Sequence, residues 1–148
     1  DVVINTQAEK ELGITHASLE EVLRVSDYIS LHVPGGPETK HMIGAEQFAT
    51  MKPSACIINC SRGGVIDEQA LIEAIHKGQI RGAGLDVYED EPDANASTIT
   101  NPIASVDMVY GTHHIGASTE QAQEAVAEET VRIIEAFVKR GEIPNCLN

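Results

Sequence analysis

Positive charge is scarce in this sequence. Lysine and arginine number 10 against 23 aspartates and glutamates, for a formal net charge of −13. A surface of that sign repels phosphate backbones, which argues against nucleic acid as a partner. A small anionic ligand would need a local positive focus instead. Cysteine is nearly as scarce. Cys56, Cys60 and Cys146 are odd in number and form neither a disulfide framework nor a zinc knuckle. They are expected to be buried, inert thiols in a reducing compartment, the cytoplasm. No run of 18 apolar residues occurs, so no membrane span is expected, and no basic-then-apolar leader opens the chain. Also missing is a G-x-G-x-x-G between a strand and a helix. Its nearest match, Gly82, Gly84 and Val87, has no third glycine and runs into a loop, so the chain carries no pyrophosphate-binding element of that kind.

What is present fits a soluble domain of ordinary core size: 148 residues, 42% apolar and 22% charged. Short apolar runs alternate with helical patterns. Ser18 with Glu21 predicts a capping box and a helix through Leu23. Tyr28–Val33 reads as a strand halted by Pro34, Gly35, Gly36 and Pro37. A helix is expected over Ala45–Met51, and a strand at Cys56, Ile57 and Ile58. Asp67 should start a helix with Ala70, Leu71, Ala74 and Ile75 on one face and Gly78 as its stop. Gly82–Val87 and Val106–Gly111 read as further strands. Ser118 with Gln121 predicts a second capping box, and then a long helix to Gly141 with Ala122, Val126, Ile133 and Phe137 on one side. Such alternation argues for an α/β fold with a parallel sheet.

Polar residues gather at the predicted strand ends. Arg62 follows the Cys56 strand, Asp86 ends the next, His114 follows the last, and Glu91 lies in the acidic loop Glu89–Asp93. In an open parallel sheet such ends share one edge, where ligands bind. Arg62 reads either as an anion clamp or as a surface arginine paired with a carboxylate. A histidine beside a carboxylate is a proton-transfer device, although a single histidine is more often structural. Arginine, carboxylates and histidine together suit interconversion of a 2-hydroxy acid and a 2-keto acid, whose hydride must go to a cofactor. Other chemistries fit less well. His113 and His114 are adjacent, so extended backbone would point them apart and disfavour joint metal ligation. Ser61 lies in no nucleophile-elbow pattern.

The segments INCSRGGVIDEQAL (Ile58–Leu71), GAGLDVYEDEP (Gly82–Pro92), HIGASTEQAQ (His114–Gln123) and LHVPGGPETKHMIG (Leu31–Gly44) resemble the D-isomer-specific 2-hydroxyacid dehydrogenases, in family order and spacing. The resemblance implies a Rossmann-like doubly wound parallel sheet, with NAD as cofactor and a small anionic 2-hydroxy or 2-keto acid as substrate. It assigns Arg62 to the substrate carboxylate and carbonyl, His114 to acid/base work and Glu91 to partner His114. Glu89 and Asp90 would be solvated bystanders. Asp86 would hold the nicotinamide carboxamide. Cys60, Ser61 and the loop His114, Ile115, Gly116, Ala117 would line the nicotinamide, with Val33 and Pro34 bordering the adenine. Asp1 falls where the family keeps its ribose-binding acid, which makes Val2–Thr6 irregular despite its apolar start. His113 stands where the family usually has proline.

The same resemblance implies an incomplete domain. The first strand, the glycine loop and the substrate-binding domain are not in this sequence, so residues 1–148 would be a partial NAD-binding domain of a longer, oligomeric enzyme. The chain alone is expected to be inactive, with an unpaired gap in its sheet. A non-catalytic, corepressor-like relative is the alternative.

Overall fold

The computed structural model describes residues 6–91 and 101–145. The expectations for Asp1, Val2–Ile4, Pro92, Asp93, Cys146, Leu147 and Asn148 lie outside those residues. The chain divides into two compact units, Asp1–His113 and His114–Asn148.

The first unit is a parallel sheet of four strands in the order β1-β2-β3-β4: β1 (Tyr28–Leu31), β2 (Cys56–Asn59), β3 (Gly82–Leu85) and β4 (Val109–Gly111). These are shorter than the apolar runs suggested. His32 and Val33 lie beyond β1. Asp86 and Val87 lie beyond β3. Val106–Met108 turns before β4, with Met108 in left-handed backbone at φ 70°. The four strands are contiguous, so no gap opens inside the described sheet. Any further strand would have to pair along an outer edge.

Register makes the core. Ile29, Ile57 and Ala83 stand in one cross-strand row; Leu31, Asn59 and Leu85 stand in the next. All are buried. Against them pack Leu23 of α2 (Leu19–Val25), Phe48 of α3 (Ala45–Thr50), and Leu71 and Ala74 of α4 (Glu68–His76). Alternation sends Tyr28, Cys56 and Ile58 to the other face, where Tyr28 is 72% exposed. A further helix, α1, covers Thr6–Leu12.

The helix starts follow local chemistry. Ser18 Oγ accepts from the Glu21 N–H, and Asp67 Oδ1 from the Ala70 N–H at 2.9 Å. Gly78, at φ 68°, supplies the left-handed residue after α4. The thiols depart from expectation: Cys56 is half-buried and Cys60 exposed, because β2 ends at Asn59 and the chain leaves the core there.

The second unit centres on α5 (Glu120–Arg140), which ends at Gly141 with φ 69°. Its cap is Thr119, whose hydroxyl accepts from the Ala122 N–H, and not the expected Ser118. The Ser118 N–H closes a turn onto the Ile115 carbonyl, so Thr119 is the residue placed to cap. Val126 and Phe137, expected on the apolar side, are 63% and 59% exposed. One helix has no second layer in its own unit to cover them. Among the described residues no helix is long and apolar enough to cross a membrane.

Tyr88, just past β3, is buried, and its hydroxyl lies 3.4 Å from the Leu85 carbonyl oxygen. Burial raises its pKa, and the nearby charges of Asp86 and Glu68 push the same way. An acid raised in the folded state stabilises the fold below its unfolded pKa, about 10 for tyrosine, and that stability is lost as pH rises through the folded value. Tyr88→Phe should therefore match the parent within about 1 kcal/mol at neutral pH and resist alkaline unfolding better. Urea titrations on both sides of the tyrosine pKa check this; equal alkaline loss in the two proteins would contradict it.

Candidate active site

The site begins with a polar residue in a core row. Asn59 ends β2 and is 2% exposed, so its amide must find partners inside the protein. It finds them in the turn that follows. Asn59 Oδ1 accepts from the Ser61 N–H at 3.1 Å and the Ser61 hydroxyl at 2.8 Å, while Nδ2 donates to the Arg62 carbonyl oxygen at 2.9 Å. One side chain thereby shapes the turn that carries Cys60, Ser61 and Arg62 over the strand end.

Arg62 is exposed, and Nη1 donates to the Ser61 carbonyl at 2.6 Å. Among the described residues no carboxylate pairs with it. A guanidinium carries five N–H donors, so this arrangement suits an incoming carboxylate. Its aliphatic stem lies against the loop after β1, where a Cβ on Gly35 would sit 3.1 Å from Arg62 Cγ. In that loop Val33 is half-buried and Pro34 exposed, and Thr39 Oγ1 donates to the Pro34 carbonyl at 2.7 Å. A cavity of about 200 Å³ lies between Gly35, Gly36, Lys40, Gly63 and Gly64.

Asp86 is set by the sheet. Its N–H donates to the Asn59 carbonyl at 2.9 Å, which extends the ladder between β2 and β3. Its carboxylate is buried and accepts from the Thr112 hydroxyl just after β4. Next comes a close approach. A Cβ on Gly63 would overlap the Tyr88 carbonyl oxygen, so the segment after β3 can rest on the Arg62 turn only because Gly63 has no side chain. Beyond it Glu91 is exposed, with Oε1 3.4 Å from the Tyr88 N–H.

Glu89 is exposed, as expected, but it is not a bystander. It pairs with His41 at 2.7 Å, and its N–H donates to Glu68 Oε1 at 2.8 Å. Asp90 is exposed. His114, Ile115, Gly116 and Ala117 belong to the second unit, and Asp1 lies outside the described residues. His114 has left-handed backbone, φ 60°, which is uncommon without glycine and is met more often in histidine than in most residues. The Gln123 side chain donates to the Ala117 carbonyl at 2.7 Å and steadies the loop before α5.

The ends of adjacent strands thus carry a guanidinium, a serine hydroxyl and a buried carboxylate. That donor set fits the nicotinamide half of a dinucleotide: a carboxamide NH2 needs an acceptor, which Asp86 is, and the flat ring needs a backbone-lined lip such as Cys60 and Ser61 provide. Among the described residues no group of three or more His, Cys, Asp and Glu side chains is arranged to hold a metal ion. Residues 1–116 match the D-isomer specific 2-hydroxyacid dehydrogenase, NAD binding domain.

The chain belongs to the D-isomer specific 2-hydroxyacid dehydrogenase family. Members are NAD-dependent dehydrogenases, and the matched segment is their cofactor domain. The chain is 49% identical over 142 residues to a glyoxylate reductase of Pyrococcus furiosus, covering 96% of this chain and 40% of that one. It is 44% identical over 148 residues to a D-3-phosphoglycerate dehydrogenase of Methanocaldococcus jannaschii, covering 97% and 26%. The fold matches the NAD-complexed D-isomer specific 2-hydroxyacid dehydrogenase of Lactobacillus delbrueckii ssp. bulgaricus, with a TM-score of 0.84, 32% identity, and coverage of 100% and 47%. The chain therefore spans less than half the length of these relatives.

Asn59, Thr112, His41 and Glu68 did not stand out in the sequence. Only for Asn59 was a local signal available: a polar residue at an inward position of an alternating strand.

The Gly63 contact makes a paired prediction. Gly63→Ala must displace the Tyr88–Glu89 backbone, so it should destabilise by roughly 2 kcal/mol or more. Gly36→Ala meets nothing within 4 Å and should stay within about 0.5 kcal/mol of the parent. Denaturant midpoints decide, and equal stability of the two variants would refute the contact.

Proposed function

We propose that this chain is the NAD-binding part of a longer enzyme that interconverts a D-2-hydroxy acid and its 2-keto acid. The observation that carries this reading is Arg62, unpaired with any carboxylate among the described residues, on the turn after β2, together with buried Asp86 just past β3. When bound, the nicotinamide supplies or accepts the hydride. Every other step falls to the protein. Arg62 grips the substrate carboxylate and polarises the adjacent carbonyl. His114 gives its proton to the carbonyl oxygen on reduction and takes it back on oxidation. Glu91 is the carboxylate partner of His114 in this reading. Asp86 holds the carboxamide, with Cys60, Ser61, Ile115, Gly116 and Ala117 along the nicotinamide. Val33 and Pro34 border the adenine, and Asp1 takes the ribose hydroxyls.

For the substrate, GAST-x-x-AQ (Gly116–Gln123), NCSRGG (Asn59–Gly64) and the closing Leu147-Asn148 favour 3-phosphoglycerate and a place in serine synthesis. Glyoxylate is the second reading, favoured by the 49% identity to the Pyrococcus furiosus enzyme. Most residues that select the substrate side chain belong, in this reading, to the part outside this chain. The enzyme works in the cytoplasm as a homo-oligomer, without nucleic acid or membrane partners.

The test uses the full-length protein. Loss of NADH absorbance with 3-phosphohydroxypyruvate faster than with glyoxylate supports the first substrate, and the reverse order the second. No oxidation of NADH with either would favour a non-catalytic relative. His114→Ala should lower kcat by about 100-fold or more while NADH affinity stays near the parent's; equal losses of both would remove His114 from acid/base work. NADPH should serve poorly, because a carboxylate at Asp1 repels a 2′-phosphate. Comparable rates with NADH and NADPH would overturn that placement.

A further inference from the structure

Glu68 is the first residue of α4, and its two carboxylate oxygens leave the helix in different directions. Oε1 accepts from the Glu89 N–H at 2.8 Å, and Oε2 accepts from the Asn101 side-chain amide at 2.6 Å. Asn101 Oδ1 in turn accepts from the Ile103 N–H at 3.0 Å and caps the short 3₁₀ turn Pro102–Ser105. One carboxylate therefore ties down two points of the β3–β4 connection that are far apart in sequence. A second tie comes from the other side. His41 Nε2 lies 2.7 Å from Glu89 Oε1, and Nδ1 lies 3.9 Å from Asp67 Oδ2. His41 is itself fixed by its own N–H, which donates to the Gly64 carbonyl at 2.7 Å.

Both ties close on Glu89, two residues before Glu91. The Tyr88 backbone between Asp86 and Glu89 rests on Gly63. The segment Tyr88–Glu91 is thus pressed from below by the Arg62 turn and held at the side by α4 and the loop after β1. Each hydrogen bond in this set joins two groups of the protein. Its effect is geometric: it fixes where the Glu91 carboxylate leaves the backbone.

We propose that Glu68 and His41 are positioning residues for Glu91, with Glu68 the stronger. The proposal rests on the acid/base reading of Glu91 above. Glu68 makes two bonds to one carboxylate at a helix N-terminus, where negative charge is favoured. Glutamine there offers one oxygen, so it can hold one of the two donors and turns an NH2 toward the other. Alanine holds neither. A catalytic carboxylate that drifts by an ångström loses most of its contribution, so the cost appears in turnover and not in cofactor binding.

The test uses the full-length enzyme with Glu68→Ala, Glu68→Gln and His41→Gln, and Glu91→Gln as reference. Glu68→Ala should lower kcat between about 10-fold and 100-fold, with the keto-acid KM and NADH Kd within about twofold of the parent. Glu68→Gln should fall between parent and alanine, and His41→Gln should show a smaller loss in the same direction. Amide exchange at Glu89 should quicken in Glu68→Ala while β3 and α4 keep their protection. Unchanged kcat in Glu68→Ala, beside a large loss in Glu91→Gln, overturns the proposal. So does a kcat loss matched by an equal loss of NADH affinity, or accelerated exchange throughout β3, either of which marks a merely structural residue. If Glu91→Gln keeps full turnover, the reading of Glu91 fails instead, and the clamp is then judged on Glu89 exchange alone: quickened exchange retains it as an anchor, unchanged exchange removes it.

Discussion

The buried amide of Asn59 is the interaction on which the site depends. A polar side chain in a core row is costly unless all of its hydrogen-bonding capacity is used, and an orphaned buried group costs about 1–3 kcal/mol against about 1 kcal/mol gained per satisfied bond. Asn59 spends its amide on the turn after β2 and its backbone carbonyl on Asp86 of the neighbouring strand end. The shape of the Arg62 turn therefore follows from the Asn59 side chain, whereas the bond to Asp86 uses a backbone carbonyl that any residue there would supply. An apolar residue in that row would pack well and leave the turn without a template. The polarity is kept where it specifies geometry.

The next layer is built on that turn by close backbone approach. Gly63 admits the Tyr88 carbonyl, so the connection after β3 lies on the turn after β2. Glu68 and His41 then hold the connection laterally. None of these contacts buries much apolar surface. They are polar and directional, which is what placing a carboxylate requires. The apolar energy comes from elsewhere, from the rows of Ile29, Ile57, Leu31 and Leu85 and the helices over them. Core and edge are separate in this way: burial holds the sheet together, and hydrogen bonds shape its carboxyl edge.

The family's NAD-binding domain is matched over residues 1–116, and Arg62 and Asp86 lie just past the carboxyl ends of parallel strands. The relatives include both a glyoxylate reductase and a phosphoglycerate dehydrogenase at similar identity. The segment this chain aligns with both includes the family's NAD-binding domain. Selection between a small and a phosphorylated substrate is a property of surfaces facing the substrate tail, and that is why the cofactor is better determined than the substrate.

Much of the fold was legible along the chain because its signals are local. Short apolar runs marked β1 and β2, period 3.6 marked α4, and Ser18, Asp67, Gly78 and Gly141 marked helix ends through bonds spanning a turn or less. Arg62, Asp86 and Glu91 stood out because polar residues interrupt apolar runs where strands stop. The misses are of two kinds, local and long-range. Ser118 lost the cap to Thr119 because a turn back to Ile115 took it, and Cys60 was expected inside although the strand had already ended. The pairings His41 with Glu89, 48 residues apart, and Glu68 with Asn101, 33 residues apart, leave no periodic trace. The sequence by itself determined the elements, their caps, the acidic character and the residue types at the strand ends. Only the tertiary structure decided which strand ends are neighbours and which side chains close across them, because those contacts depend on non-local register, and register is set by the packing of the whole sheet.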